Sequence, residues 1–267
     1  MISTTIIKEQ LKSIGDIPNI RSNDYVDALN SFIKTYQDDS RKGVCALVAK
    51  ANKKIKQYNE EIARVEGLLS FEKQYSDYKY ICGIDEVGRG PLAGPVVAGA
   101  VILPKDCKLL HINDSKQLSH KKREELYDLI KEEAVCYATA SVDHTVIDEI
   151  NILQATYKAM RLAISKLDPA PDMLLNDAVN IPEVDIKQVS IIKGDSLSMS
   201  IGTASIIAKV ERDRLMGNYD QKYPGYDFAS NKGYGSAKHI EALVKQGPCP
   251  IHRMTFVKSV LENRKNK

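Results

Sequence analysis

Four acidic residues in this 267-residue sequence stand where chemistry is easiest to build. Asp85 and Glu86 follow the apolar run YICGI, Asp177 ends LLND, and Asp195 ends VSIIKGD. Each run reads as a buried strand, and a buried strand that stops at an acid delivers a carboxylate to the edge of a sheet. Four carboxylates from three strands would repel one another if gathered in one place. A divalent cation or two would relieve that repulsion, and oxygen ligands without thiol or imidazole suit Mg²⁺ or Mn²⁺. A lone Asp is more often a turn residue or a helix cap, so the shared placement is the signal. Alternation along a strand turns Asp85 and Glu86 to opposite faces unless the strand bends there.

Gly88-Arg89-Gly90-Pro91, with Gly94-Pro95, follows the acid pair directly. Consecutive amides in such a loop can bind a phosphate or a sugar hydroxyl, and a tight β-hairpin would use the same residues with no ligand at all. No Gly-Lys-Ser/Thr closes the loop, so it is not a P-loop. Further clusters are Asp114-Ser115-Lys116, Asn231-Lys232-Gly233-Tyr234-Gly235 and His252-Arg253. Tyr234, flanked by glycines, either caps the core beside a turn or offers a ring face to a sugar or base, where stacking contributes about 1 to 3 kcal/mol. Lys209, Arg212 and Arg214 are expected mainly to face solvent. The five cysteines form no CxxC pair and read as ordinary thiols of a reducing compartment. The five histidines are equally dispersed, with no spacing that would place two imidazoles on one zinc.

The elements that must position these residues fall into two textures. The first seventy or so residues are rich in Lys, Glu, Gln and Asn and read as helices. Val26, Leu29, Ile33 and Tyr36 recur at helical spacing. Val44, Val48, Ala51, Ile55, Tyr58, Ile62, Val65 and Leu69 alternate steps of four and three, a 3.5-residue seam. Asp38, Asp39 and Ser40 supply capping side chains, so a helical hairpin is expected. Arg41, Lys42, Lys50, Lys53, Lys54 and Lys56 form a basic stretch that is either a solvated helix face or, in a nucleic-acid protein, an accessory grip on phosphates. After Tyr78 a mixed α/β domain begins. Strands are expected over 80–87 and 96–103 as an antiparallel hairpin, then over 136–142, 172–177 and 189–195. Helices are expected after the Ser119 cap, over about 145–167 with Ile147, Ile150, Leu153 or Gln154, Tyr157 and Met160 near one face, and over 200–216. The last opens with small residues that can pack closely on a sheet.

Residues 1–75 are therefore assigned to a helical extension and 76–267 to an α/β domain with C-terminal helices. With 43% hydrophobic residues the chain can bury a core, and its net charge of +3 does not by itself demand an acidic partner. The longest apolar stretch is broken by Pro and Gly and is too short for a bilayer, and MISTTIIKEQ lacks the pattern of a leader. A soluble cytoplasmic protein with no membrane partner is the expectation.

From about residue 79 to 257 the sequence resembles bacterial ribonuclease HII. The matching strings, in order, are IDEVGRGPLAGPVVAGAVIL, NDSKQLSHKKREEL, IDEINILQATYKAM, LLND, IIKGD with SIGTASIIAKVERDRLM, NKGYGSAKH and HRMTF. The resemblance implies a ribonuclease H-like mixed five-stranded sheet with flanking helices. It places the catalytic and metal-binding acids at Asp85, Glu86, Asp177 and Asp195, with Asp85 bridging two Mg²⁺ or Mn²⁺ ions. It makes Gly88, Arg89 and Gly90 the sensor of a ribose 2′-hydroxyl, Tyr234 the platform for the following deoxyribose, and Ser115 and Lys116 contacts to backbone phosphates.

The implied activity is a two-metal endonuclease. It would hydrolyse the RNA strand of RNA/DNA hybrids and nick ribonucleotide-containing duplex DNA on the 5′ side of the ribonucleotide, leaving 3′-hydroxyl and 5′-phosphate ends, as in ribonucleotide excision repair. A monomer with no obligatory protein partner is expected. Leu197 stands where members often carry a basic residue, and Ile201-Gly202-Thr203-Ala204 replaces a more alanine-rich run. The sister type, ribonuclease HIII, carries a β-rich amino-terminal domain, against which the helical seams argue. A fold-sharing protein that binds nucleic acid without cutting it is opposed by the intact acids, and a nucleotide hydrolase by the missing Walker lysine.

Overall fold

A computed structural model describes residues 2–258. The terminal stretch 259–267, assigned above to the α/β domain, lies outside the described residues. The described residues form two compact units, one of residues up to 70 with 106–112 and the other of 71–105 with those from 113 onward. The segment 106–112, expected within the α/β domain, thus belongs to the helical unit.

Three helices build the first unit: α1 (Thr4–Ser13), α2 (Asn23–Tyr36) and α3 (Lys42–Leu68). The seam on α3 is as the sequence predicts, with Val44, Ala51, Tyr58 and Val65 buried at seven-residue intervals. On α2 the buried face is Tyr25, Leu29, Phe32 and Tyr36, rotated by one residue from the expected Val26 and Ile33, because the aromatic rings carry more apolar surface into the contact. No acid caps α3; Asp39 instead holds the Arg41 guanidinium through Nε at 2.9 Å and Nη2 at 2.6 Å. The segment 106–112 joins this unit by main-chain bonds from Arg21 N to Lys108 O and from Leu110 N to Asn19 O.

The second unit opens with the end of a short helix, α4 (Ser70–Gln74), and is organised by a five-stranded mixed sheet in the order β3-β2-β1-β4-β5. Its strands are β1 (Ile81–Val87), β2 (Val96–Ile102), β3 (Cys136–Val142), β4 (Met173–Asp177) and β5 (Lys187–Ile191). β1 pairs antiparallel with β2 in the expected hairpin and parallel with β4. One face of the sheet packs on α6 (His144–Ile164) and the other on α7 (Met199–Lys222), with α5 (His120–Glu133) beside α7.

Ser119 caps α5 as expected, its hydroxyl accepting from Lys122 N. α7 lies so close to the sheet that a Cβ on Gly83 would stand 2.0 Å from Ser200 C and one on Gly99 2.4 Å from Ala204 O. Its small residues are therefore an interface with the strands that carry the acids. α6 departs from its expected stripe. Asn151 adopts φ 67°, ψ 165°, and its side chain accepts from Leu153 N and Gln154 N, starting a second helical segment. The kink resets the buried face to Ala155, Thr156, Ala159 and Met160 and leaves Leu153 exposed. No helix among the described residues is long and apolar enough to cross a membrane.

Candidate active site

Strand alternation decides which acids meet. On β1, Cys82 and Ile84 join the core cluster shared with α6, whereas Ile81 packs with Ile201 of α7, so Asp85 falls on the α7 side. β4 runs parallel beside it with Ile84 opposite Asn176, which brings Asp177 level with Asp85 on the same face. Asp195 arrives differently from expectation. β5 ends at Ile191, and Lys193, at φ 59°, turns the chain into a 3-10 turn over Gly194–Ser196 that carries Asp195. Asp177 anchors that turn, accepting from Gly194 N at 2.7 Å.

The acids sense one another. Burial pushes the Asp85 carboxyl well above the usual carboxylate range, and Glu86 and Asp177 push it further, while a hydrogen bond from Ser205 of α7 opposes the shift. Burial also raises Glu86, with Asp177 adding to the shift and Arg89, whose Nη1 lies 3.3 Å from Oε1, working against it. Asp195 is raised by burial and by its neighbours Asp114 and Asp177, with Lys116 Nζ 3.9 Å away as a counter-charge. Glu86 Oε2 is buried with no hydrogen-bond partner. Among the described residues no three His, Cys, Asp or Glu side chains stand in a preformed cage for a metal ion. The donor chemistry nevertheless fits a hard cation, because the acids facing one another offer only carboxylate oxygens, one of those oxygens is buried without a partner and burial makes their charge costly.

Around the acids, the Gly88–Gly90 loop and Tyr234 are neighbours. Gly88 has φ +94°, and a Cβ on Gly90 would sit 3.5 Å from Cε1 of Tyr234, whose side chain is exposed. Arg89 is half-exposed at the rim. Lys116 extends into solvent, whereas Ser115 is buried, its hydroxyl 2.9 Å from that of Ser205. The two serines thus form a hydroxyl chain leading to Asp85, and Ser115 turns its side chain inward rather than to solvent.

Five residues that sequence patterns pass over or place at the surface are central here. Arg212 and Arg253 are fully buried, and Lys209 is nearly so, paired with Asp213 at 2.7 Å; of Lys209, Arg212 and Arg214, all expected mainly to face solvent, only Arg214 is well exposed. His239 and His252, thirteen residues apart, meet Nε2 to Nε2 at 2.9 Å. Tyr234 O can only accept, so His239 Nδ1 carries the proton it donates there at 2.8 Å; the neutral His239 Nε2 then accepts from His252 Nε2, which leaves His252 Nδ1 to accept from the Cys249 amide at 2.9 Å, with the Cys249 carbonyl also 3.1 Å away. A directional wire of two neutral imidazoles therefore ends on the backbone of Tyr234. No spacing rule finds such a pair, since the two histidines come from α8 (Ala237–Gln246) and from the loop beyond it.

Comparison with known proteins decides the lineage. The family model described as Ribonuclease HII matches residues 82–259, and that described as Ribonuclease HII N-terminal domain matches residues 3–76. The chain belongs to the ribonuclease HII family. It is 62% identical over 225 residues to Ribonuclease HII of Lachnoclostridium phytofermentans, spanning 84% of this chain and 89% of that one. Ribonuclease HII of Clostridioides difficile is 50% identical over 254 residues, 94% of this chain and 100% of that one. Among solved structures, ribonuclease H2 from Pyrococcus horikoshii OT3 superposes with a TM-score of 0.57 at 26% identity, covering 71% of this chain and all of that one. As a member of the ribonuclease HII family the chain is a nuclease of the ribonuclease H type, and its helical residues 3–76 match the N-terminal domain of that family.

Proposed function

We propose that this ribonuclease HII hydrolyses the RNA strand of RNA/DNA hybrids and nicks duplex DNA on the 5′ side of a single embedded ribonucleotide, leaving 3′-hydroxyl and 5′-phosphate ends. The observation that carries the proposal is the gathering of Asp85, Glu86, Asp177 and Asp195 into one electrostatically frustrated cluster beside the Gly88–Gly90 loop. Those four carboxylates would hold two divalent ions, Mg²⁺ or Mn²⁺, which when bound supply an activated water and a Lewis acid at the departing 3′ oxygen.

The chain's own residues would do the rest. Ser205, which favours the charged form of Asp85, would help to hold that carboxylate's orientation. Gly88, Arg89 and Gly90 present backbone groups to the 2′-hydroxyl, which tells RNA from DNA without reading sequence. Tyr234, with its ring exposed beside Gly90, would stack on the deoxyribose that follows. Lys116 offers an exposed ammonium beside Asp195 for a backbone phosphate; the buried Ser115 would contribute through the loop's main chain. The test is metal-dependent cleavage of a duplex containing one ribonucleotide, compared with the same duplex in all-DNA form. A single nick 5′ of the ribonucleotide is expected. Retention of the duplex without a nick in Mg²⁺ or Mn²⁺ would make the chain a binding module and refute the proposal.

A further inference from the structure

Two buried guanidinium groups lie beneath the ribonucleotide-reading loops, and the mechanism above does not use them. Arg253 donates from Nε to Gly94 O at 2.9 Å, from Nη1 to Arg89 O at 2.8 Å and from Nη2 to Gly88 O at 2.6 Å. Arg212 donates from Nε to Pro95 O at 2.9 Å, from Nη1 to Lys232 O at 2.9 Å and from Nη2 to Ala93 O at 3.2 Å. Both side chains have no solvent exposure, and both spend their forks on backbone carbonyls rather than on a carboxylate. Burying a charge is a poor way to gain stability, because apolar packing of the same volume generally serves as well or better. What six inward-turned carbonyls do fix is the orientation of the peptide planes that carry them.

In a trans peptide the carbonyl of one residue and the N–H of the next point in opposite directions. Drawing Gly88 O and Arg89 O onto Arg253 therefore aims the amides of Arg89 and Gly90 away from it. Among the described residues neither amide donates to another backbone group. Arg212 ties Ala93 and Pro95, on the same loop, to Lys232, two residues before Tyr234. A main-chain bond from Leu92 N to Gly233 O at 2.8 Å reinforces the link. A planar five-donor fork holds three spaced carbonyls in one fixed geometry, whereas a lysine ammonium gathers its three donors on a single nitrogen at the end of a flexible stem.

We propose that Arg253 and Arg212 are positioning residues for ribonucleotide recognition, Arg253 aiming the Arg89 and Gly90 amides at the 2′-hydroxyl and Arg212 fixing the Tyr234 ring relative to them. The inference rests on the proposed reading of a ribonucleotide by these loops. Its test measures binding of duplexes with one ribonucleotide and of the all-DNA counterpart, in an Asp85→Asn background that prevents turnover, well below the melting temperature. Arg253→Lys should lower the preference for the ribonucleotide duplex roughly tenfold, the scale of one or two hydrogen bonds, while all-DNA affinity stays as it was. Arg212→Lys should lower the preference for a ribonucleotide followed by DNA over a run of ribonucleotides by a similar factor.

A role in stability alone would lower the melting temperature and keep both preferences, which overturns the proposal. Failure of both variants to fold would make the arginines global stabilisers and overturn it equally. If the unsubstituted recognition loops show no preference for a ribonucleotide, the functional reading falls and takes this inference with it. Preference in the parent that is undiminished in both lysine variants defeats only the inference.

Discussion

Acidification should unfasten the histidine wire behind Tyr234, and the size of the effect follows from its geometry. Burial pushes His252 down from 6.5 to about 4, with the nearby His239 and His144 adding to the shift and the Cys249 carbonyl, 3.1 Å from Nδ1, opposing it; burial lowers His239 as well. The rings of Tyr226 and Phe228 pack against both imidazoles and offer no counter-charge. A proton added to His239 places two N–H groups nose to nose across the 2.9 Å contact, and one added to His252 sits on Nδ1, facing the Cys249 amide at 2.9 Å. A histidine held neutral in the folded state contributes stability that is complete above its unfolded value and is lost as pH falls toward its folded value. Between pH 7 and about pH 4.5 the His252 shift alone should cost about 2 kcal/mol. Urea unfolding at the two pH values, followed by circular dichroism at fixed ionic strength, measures the loss. His252→Gln should be less stable at pH 7 and should show an acid loss smaller by about that amount. An unchanged acid loss in the variant would refute the reasoning, since other groups would then carry the pH dependence.

The acid cluster carries the opposite sign. Asp85 has its pKa raised by burial and by Glu86, so its contribution is favourable at low pH and is lost as pH rises through the folded value. Asp85→Asn should therefore abolish cleavage yet raise the melting temperature at neutral pH in chelator, an advantage that added Mg²⁺ removes; an equal or lower melting point in chelator would contradict the site's frustration. Tyr234→Ala should cost about 1 to 3 kcal/mol, or roughly 5- to 150-fold in kcat/KM, on a duplex with one ribonucleotide and much less on an all-RNA hybrid. Equal losses on both substrates would end the stacking role. On the helical unit, Arg41, Lys54 and Lys56 face Asp39, Asp16 and Glu60, whereas Lys42, Lys50 and Lys53 are exposed and have no ion pair among the described residues. If those three grip phosphate, replacing them with Ala should reduce the log-log salt slope of duplex binding by up to about 3, and an unchanged slope leaves them as a solvated face.

Several features of this ribonuclease HII were legible in the linear sequence because they arise from neighbours along the chain. The two-residue alternation of β1, the seven-residue seam of α3, the serine cap of α5 and the acids at strand ends are local patterns, and the order of the motifs points to the family. Which side chains meet was decided elsewhere. The rotated face of α2 depends on what packs against it, and the register of α6 after Asn151 depends on a single positive φ. Asp195 leaves its strand for a 3-10 turn because Asp177, seventeen residues earlier, receives the Gly194 amide. Arg212 and Arg253 read as surface charges in any window of sequence, since their six carbonyl partners come from Gly88 to Pro95 and from Lys232. Periodicity assigns a residue to a face, whereas burial of a charge or pairing of two distant imidazoles is fixed only when separate segments close around it and exclude water. Thus the sequence alone determined the acids, the elements that bear them and the lineage, and the tertiary structure decided how the loops that read the substrate are held.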